Sequence, residues 1–124
     1  MPLEHVNYTV NDPDGTAKVL CNLFGWKIRW QGAAISEGRS VHVGEEDSYL
    51  ALYSPPGSLS ESTDNYTQLG GMNHVGVVVE NIEEVEQKVK DAGFVPHNHG
   101  DYEPGLRFYF DGPDGIEFEV VSYS

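Results

Sequence analysis

The stretch FYFDGPDGIEFEVV, residues 108–121, decides the reading of this chain. Two strongly β-forming runs, RFYF and IEFEVVSY, flank a Gly112-Pro113-Asp114-Gly115 turn, so the segment reads as an antiparallel hairpin. Side chains in a strand alternate between faces. In the second run Ile116, Phe118 and Val120 therefore form an apolar face for helices to cover, while Glu117, Glu119 and Val121 share the opposite face. A carboxylate on the inward side of a strand in so small a protein calls for partners, because an unpaired buried charge is costly.

Working towards the amino terminus, the polar residues around 97–105 read as a loop and residues 94–96 as a short strand. Before them stands a helix. Asn81 with Glu84 three residues later makes a capping-box-like start, Ile82, Val85, Val89 and Ala92 supply a buried stripe, and Gly93 closes it. MNHVGVVV, residues 72–79, alternates as a strand. The first half of the chain repeats this order. LEHVNYTV, residues 3–10, places Val6, Tyr8 and Val10 on one face and His5, Asn7 and Thr9 on the other. After the turn NDPDG, residues 16–24 carry Ala17, Leu20 and Phe24 on one helical stripe before Gly25. Three further strands follow at residues 26–35, 40–43 and 48–54. His5 and His74 are 69 residues apart, Val10 and Val79 also 69, and Gly25 and Gly93 68, so one deletion superimposes the halves.

The expected fold is α+β: two tandem βαβββ modules forming a curved mixed sheet around a cavity, with helices on the outer face. Module one is 1–54, a linker rich in Pro, Gly and Ser is 55–71, and module two is 72–124, together one domain. Neither half alone covers a sheet face fully, so the halves are expected to pair.

Composition narrows the partners. Twenty acidic against seven basic residues give a formal charge of −13, which opposes phosphate backbones and anionic membranes and favours cations. No nucleic acid and no membrane are expected as partners. No apolar run approaches the roughly 18 residues of a membrane span, and residues 1–10 lack a basic flank, so a cytoplasmic location is expected. The single cysteine, Cys21, permits no internal disulfide and reads as a small packing residue on a helix.

On the face left by the apolar stripes, His5 and His74 open the two modules and Glu119 stands on the last strand. Two imidazoles and a carboxylate are a ligand set that Zn, Ni, Fe(II) or Mn accepts, with positions left for a substrate. Other residues of matching parity are candidates for substrate contact or proton transfer: Asn7, His42, Tyr49, Tyr53, Arg107, Tyr109 and Glu117. His42 suits acid–base work near neutral pH.

LEHVNYTV, GMNHVGVVVENIEEVEQKVKDAGF and above all FYFDGPDGIEFEVV resemble the vicinal-oxygen-chelate superfamily, that is, the glyoxalase, bleomycin-resistance and extradiol-dioxygenase family. The resemblance covers nearly the whole chain. It implies one divalent metal on His5, His74 and Glu119, a small oxygen-chelating substrate, lyase/isomerase or dioxygenase chemistry, and a homodimer. Tyr109 resembles a substrate-contacting Tyr of the family, and His99 lies upstream as in extradiol enzymes. The family's fourth ligand position corresponds to Ala51, which neither binds metal nor accepts a proton. Fosfomycin is disfavoured, since a phosphonate wants several cations and only Arg107 lies near the expected mouth. The alternative is a metal-free, bleomycin-resistance-like protein that sequesters a cationic aromatic drug, for which −13 and Trp26, Trp30, Tyr49 and Tyr53 are suited.

Overall fold

The computed structural model describes residues 1–61, 65–102 and 105–123, with the side chain of residue 102 left aside. The chain forms two compact units, Met1–Leu59 and Ser60–Ser124, and the division falls within the segment read as a linker.

In the first unit the elements are β1 (His5–Thr9), α1 (Pro13–Phe24), β2 (Lys27–Ala33), β3 (Arg39–Gly44) and β4 (Tyr49–Ser54). The sheet order is β1-β4-β3-β2, with β1 parallel to β4 and the other pairs antiparallel. Val41 and Val43 lie opposite Leu52 and Leu50, and this row is buried together with Ala17, Leu20 and Leu23 of α1. The helix starts three residues earlier than the apolar stripe suggests. Asp12 caps it by accepting from the Gly15 N–H at 3.1 Å, and Pro13 occupies the first turn, where its missing N–H costs nothing. Gly25 ends it in the left-handed region, φ 69°.

The second unit repeats the plan with β5 (Val75–Val78), α2 (Ile82–Asp91), β6 (His97–Tyr102), β7 (Gly105–Asp111) and β8 (Glu117–Ser122), in the order β5-β8-β7-β6. Asn81 accepts from the Glu84 N–H at 3.1 Å and starts α2. The inner row is Val77, Phe108, Phe110, Phe118 and Val120, all buried, with the Phe110 and Phe118 rings stacked 5.2 Å apart and Val89 of α2 completing it. Each unit is thus a four-stranded mixed sheet with one helix against one face, the α+β tandem βαβββ arrangement read from the sequence.

One expectation is corrected. Residues 94–96 form no strand; the strand is His97–Tyr102, in the segment read as a loop. Its residues have low β-propensity, and it exists because β7 offers an open ladder of hydrogen bonds on that side.

Candidate functional site

The sheet face turned away from the helix carries the polar residues in both units. In the second unit, Glu119 of β8 lies opposite Gly76 of β5 and Tyr109 of β7. His74, one residue before β5, brings Nε2 to 3.1 Å from Glu119 Oε1. Arg107 Nη1 donates to the other carboxylate oxygen, Oε2, at 2.7 Å. Arg107 and Glu119 are each only 13% exposed, so this is a largely dehydrated, charge-assisted contact. The Tyr109 ring meets His74 edge-on at 5.6 Å. Three of the residues singled out in the sequence, His74, Arg107 and Glu119, are therefore joined, and Tyr109 flanks them.

A second group lies on the same face. Asp111 and Glu117 are directly opposite across β7 and β8, and His97 on β6 lies beside Tyr109. Ligand atoms of His97, Asp111 and Glu117 all lie within 4.8 Å of one another. The Tyr66 hydroxyl donates to Glu117 Oε1. That carboxylate holds the phenol in its neutral form, with its pKa pushed up to about 12. Glu117 was a sequence candidate, whereas His97, Asp111 and Tyr66 were not. Asp111 shares the parity of Arg107 and Tyr109, which is the signal that marks it. His99 points elsewhere: its Nε2 contacts Glu86 of α2 at 2.7 Å and its ring stacks on Phe108, so it belongs to the helix side.

In the first unit, His5 and Asn7 lie opposite Tyr49 and Ala51. The His5 ring stacks on Tyr49 at 4.9 Å, and Tyr49 stacks on His42 at 4.6 Å. The Arg29 guanidinium sits 4.4 Å over the Tyr49 ring. Trp30 flanks His42 at 5.0 Å. His5, His42 and Tyr49 are thus one cluster. Burial pushes the His42 pKa down, with a protonated His5 and Arg29 acting in the same direction and Glu4 opposing them, which favours the neutral imidazole. Tyr53 differs, because its hydroxyl donates to the Ile35 carbonyl at 3.0 Å and thereby fastens the loop before β3. Ala51 is buried opposite Asn7 and His42. Burial also raises the Cys21 thiol pKa, which leaves it a poor nucleophile.

The donors can be compared with what a divalent ion requires. Two ligands each about 2.1 Å from one ion, roughly at right angles, lie about 3 Å apart. The separation of His74 Nε2 and Glu119 Oε1, 3.1 Å, fits that requirement. His5 Nδ1 is 2.9 Å from Glu4 Oε1, and in the neutral tautomer with its proton on Nδ1 the ring offers Nε2 to a metal, the carboxylate–imidazole pairing common behind metal-bound histidines. Its effect on Glu4 is a lowered pKa. His74 lacks that support. Its Nδ1 is shielded from solvent and has no hydrogen-bond partner among the described residues.

Fold and face together define a protein of two βαβββ units, each with polar and ionisable side chains on the sheet face turned away from its helix. The profile of the Glyoxalase/Bleomycin resistance protein/Dioxygenase superfamily matches residues 3–120, and the chain belongs to that superfamily. Among solved structures, it is similar to a glyoxylase/bleomycin resistance protein/dioxygenase domain from Frankia sp. EAN1pec, at 20% identity and TM-score 0.81, covering 98% of this chain and 97% of that one. It is also similar to the fosfomycin resistance protein FosX from Listeria monocytogenes, at 19% identity and TM-score 0.73, covering 97% and 91%. A mutant of that protein has been crystallised with Mn(II) and a dihydroxypropylphosphonic acid. A third likeness is to TnmS3, an antibiotic-binding protein from Streptomyces sp. CB03234, at 14% identity and TM-score 0.76, covering 100% and 97%. At such identities the likeness extends to the fold. No curated protein matches the chain in sequence.

Proposed function

We propose that this chain is a divalent-metal-dependent enzyme acting on a small substrate that chelates the ion through two oxygens, by lyase/isomerase or dioxygenase chemistry. His74, Glu119 and His5 are the proposed ligands, with His5 drawn from the same chain or from the other chain of a homodimer. The observation that carries the proposal is the 3.1 Å approach of His74 Nε2 to Glu119 Oε1. Arg107 strengthens it, because by holding Oε2 it leaves Oε1 as a single, oriented donor. The bound ion would supply Lewis acidity to the chelated oxygens.

The chain's own residues supply the rest. The neutral His42 imidazole accepts a proton near pH 7, and Tyr109 presents a phenol beside His74. Asn7 and Tyr49 are proposed substrate contacts on the His5 face, and Tyr53 contributes its ring rather than its hydroxyl. Glu117, held by Tyr66, adds negative charge beside the site. With Ala51 in place of a fourth ligand, proton transfer by a pair of metal-bound carboxylates is unavailable to this chain, and His42 is the alternative base.

One observation favours a second reading, metal-free capture of a cationic ligand. Both Glu119 oxygens already have partners, His74 and Arg107, and the fold is shared with an antibiotic-binding protein. Elemental analysis separates the two. After purification and exhaustive dialysis, about one tightly held transition-metal ion per chain is expected, and none in His74→Ala or Glu119→Gln. If wild type retains no ion after incubation with zinc, nickel, iron(II) and manganese in turn, the enzyme reading fails and the capture reading takes its place.

A further inference from the structure

We infer that His97, Asp111 and Glu117 form a second divalent-cation site, separate from His74 and Glu119. It would take a borderline ion such as Zn(II) or Ni(II) through one imidazole and two carboxylates.

The side chains come from three adjacent strands and share one sheet face. Asp111 and Glu117 are paired residues, so two negative charges face each other across the ladder, an arrangement that repels unless a cation or proton lies between them. The donors lie within 4.8 Å of one another. Ligands about 2.1 Å from a shared ion at tetrahedral angles are about 3.4 Å apart, so closure needs only small side-chain rotations. Asp111 is mostly exposed and its side chain is able to make that movement.

The independent observation is His97. Its Nε2 has no accessible surface and no hydrogen-bond partner among the described residues, while Asp111 Oδ1 stands 3.6 Å away, beyond hydrogen-bonding distance. A shielded ring nitrogen without a hydrogen bond costs about 1–3 kcal/mol. Here it faces a carboxylate at a spacing an ion would bridge. The ring is steadied by stacking on Tyr109, 6.3 Å between centroids and 21° between planes. Tyr66 orients Glu117 by donating to Oε1, as an outer partner commonly does for a ligating carboxylate. The two sites remain distinct in their ligands, because Glu117 and Glu119 are successive residues on one face of β8, about 6–7 Å apart along the strand.

The test uses Zn(II) titrated calorimetrically into the full-length His74→Ala chain, which removes the ion of the proposed catalytic site and leaves this one. One binding step is expected, weakened at least tenfold when Asp111→Asn or His97→Ala is added. Asp111 is largely exposed, so Asp111→Asn tests the site without threatening the fold. If His74→Ala itself fails to fold, the comparison is made on the second Zn(II) step of the wild type against Asp111→Asn alone. Histidine side-chain NMR supplies a second readout, in which His97 resonances move on Zn(II) saturation and stay in place in the Asp111→Asn chain. Zn(II) binding that is unchanged by both substitutions, or a His97 signal that Zn(II) does not move, overturns the inference. Loss of the dialysis-resistant ion in His74→Ala with this step intact would leave both sites standing; absence of that ion with this step intact would sink only the proposed enzyme.

Discussion

Replacing Arg107 by Met keeps most of the side-chain volume and removes the guanidinium from Glu119. At 2.7 Å, with both groups 13% exposed, the pair lies well inside the low-dielectric part of the unit. Charge centres about 4 Å apart at an effective dielectric near 20 interact by about 4 kcal/mol. Glu119 retains His74 after the substitution, so the expected net loss is smaller, about 2–3 kcal/mol. For 124 residues the unfolding entropy near the midpoint is about 0.26 kcal/mol per degree, which converts that loss into a fall in Tm of about 8–12 °C. Thermal unfolding followed by circular dichroism at pH 7 measures it. The double variant Arg107→Met/Glu119→Gln is expected to recover most of the loss, because no charge is then left without its partner. A single variant melting within about 2 °C of wild type, or a double variant showing the simple sum of its parts, would refute the claim that this ion pair organises the site.

The remaining predictions concern pH and backbone strain. His42 has a pKa lowered in the fold, so the unfolded chain binds its proton first on acidification. Stability is therefore full above about pH 6.5 and falls as pH drops from there toward the folded value, and His42→Asn should flatten this part of the Tm profile. Tyr66 is the opposite case, raised to about 12, so its contribution is complete below about pH 10 and disappears between there and about 12. In Tyr66→Phe the chain should be less stable below about pH 10 and its loss of Tm between about pH 10 and 12 should shrink, and an unchanged slope in that window would contradict the Glu117 contact. Gly25 has φ 69° with nothing within 4 Å of an added Cβ, so Gly25→Ala should cost about 1 kcal/mol from backbone strain alone, and Gly25→Asn less, by urea titration.

How far the sequence carries the fold follows from where each signal is local. Alternation in residues 3–10, 72–79 and 116–122 is a property of each strand alone, and the structure pairs the first of these strands with the last of the same module in both units. Both helices start at a side-chain cap; the start was legible at Asn81 and less so at α1, where Asp12 and Pro13 belong to a run that also reads as a turn. The approach of His74 and Glu119 follows from the same face rule, because β5 and β8 are neighbours and their inward residues meet. The role of Arg107 as the partner of Glu119 is not visible in parity. It depends on the register of β7 against β8, which brings residues 107 and 119 diagonally together.

The His97 group was hidden by the failure of alternation itself. Along an unbroken strand His97 and His99 would share a face, and either both or neither would reach Asp111. The register against β7 passes from His97↔Tyr109 to Gly100↔Arg107, three residues on β6 against two on β7, which is a bulge. Asn98, inside it, has φ 52°, a conformation Asn tolerates better than most residues. The extra residue reverses the alternation, turning His97 toward Asp111 on one face while His99 packs on Phe108 and Glu86 on the other. A bulge depends on the partner strand and on the contacts at both ends, here the Tyr109 ring and the Glu86 carboxylate. Deleting Asn98 should therefore give an unbroken ladder in which His97 still faces Tyr109 and His99 still faces Phe108, so Zn(II) binding at His97, Asp111 and Glu117 should survive, with His74 and Glu119 left in place. Loss of both sites together would show that the bulge holds the sheet itself rather than a single side chain.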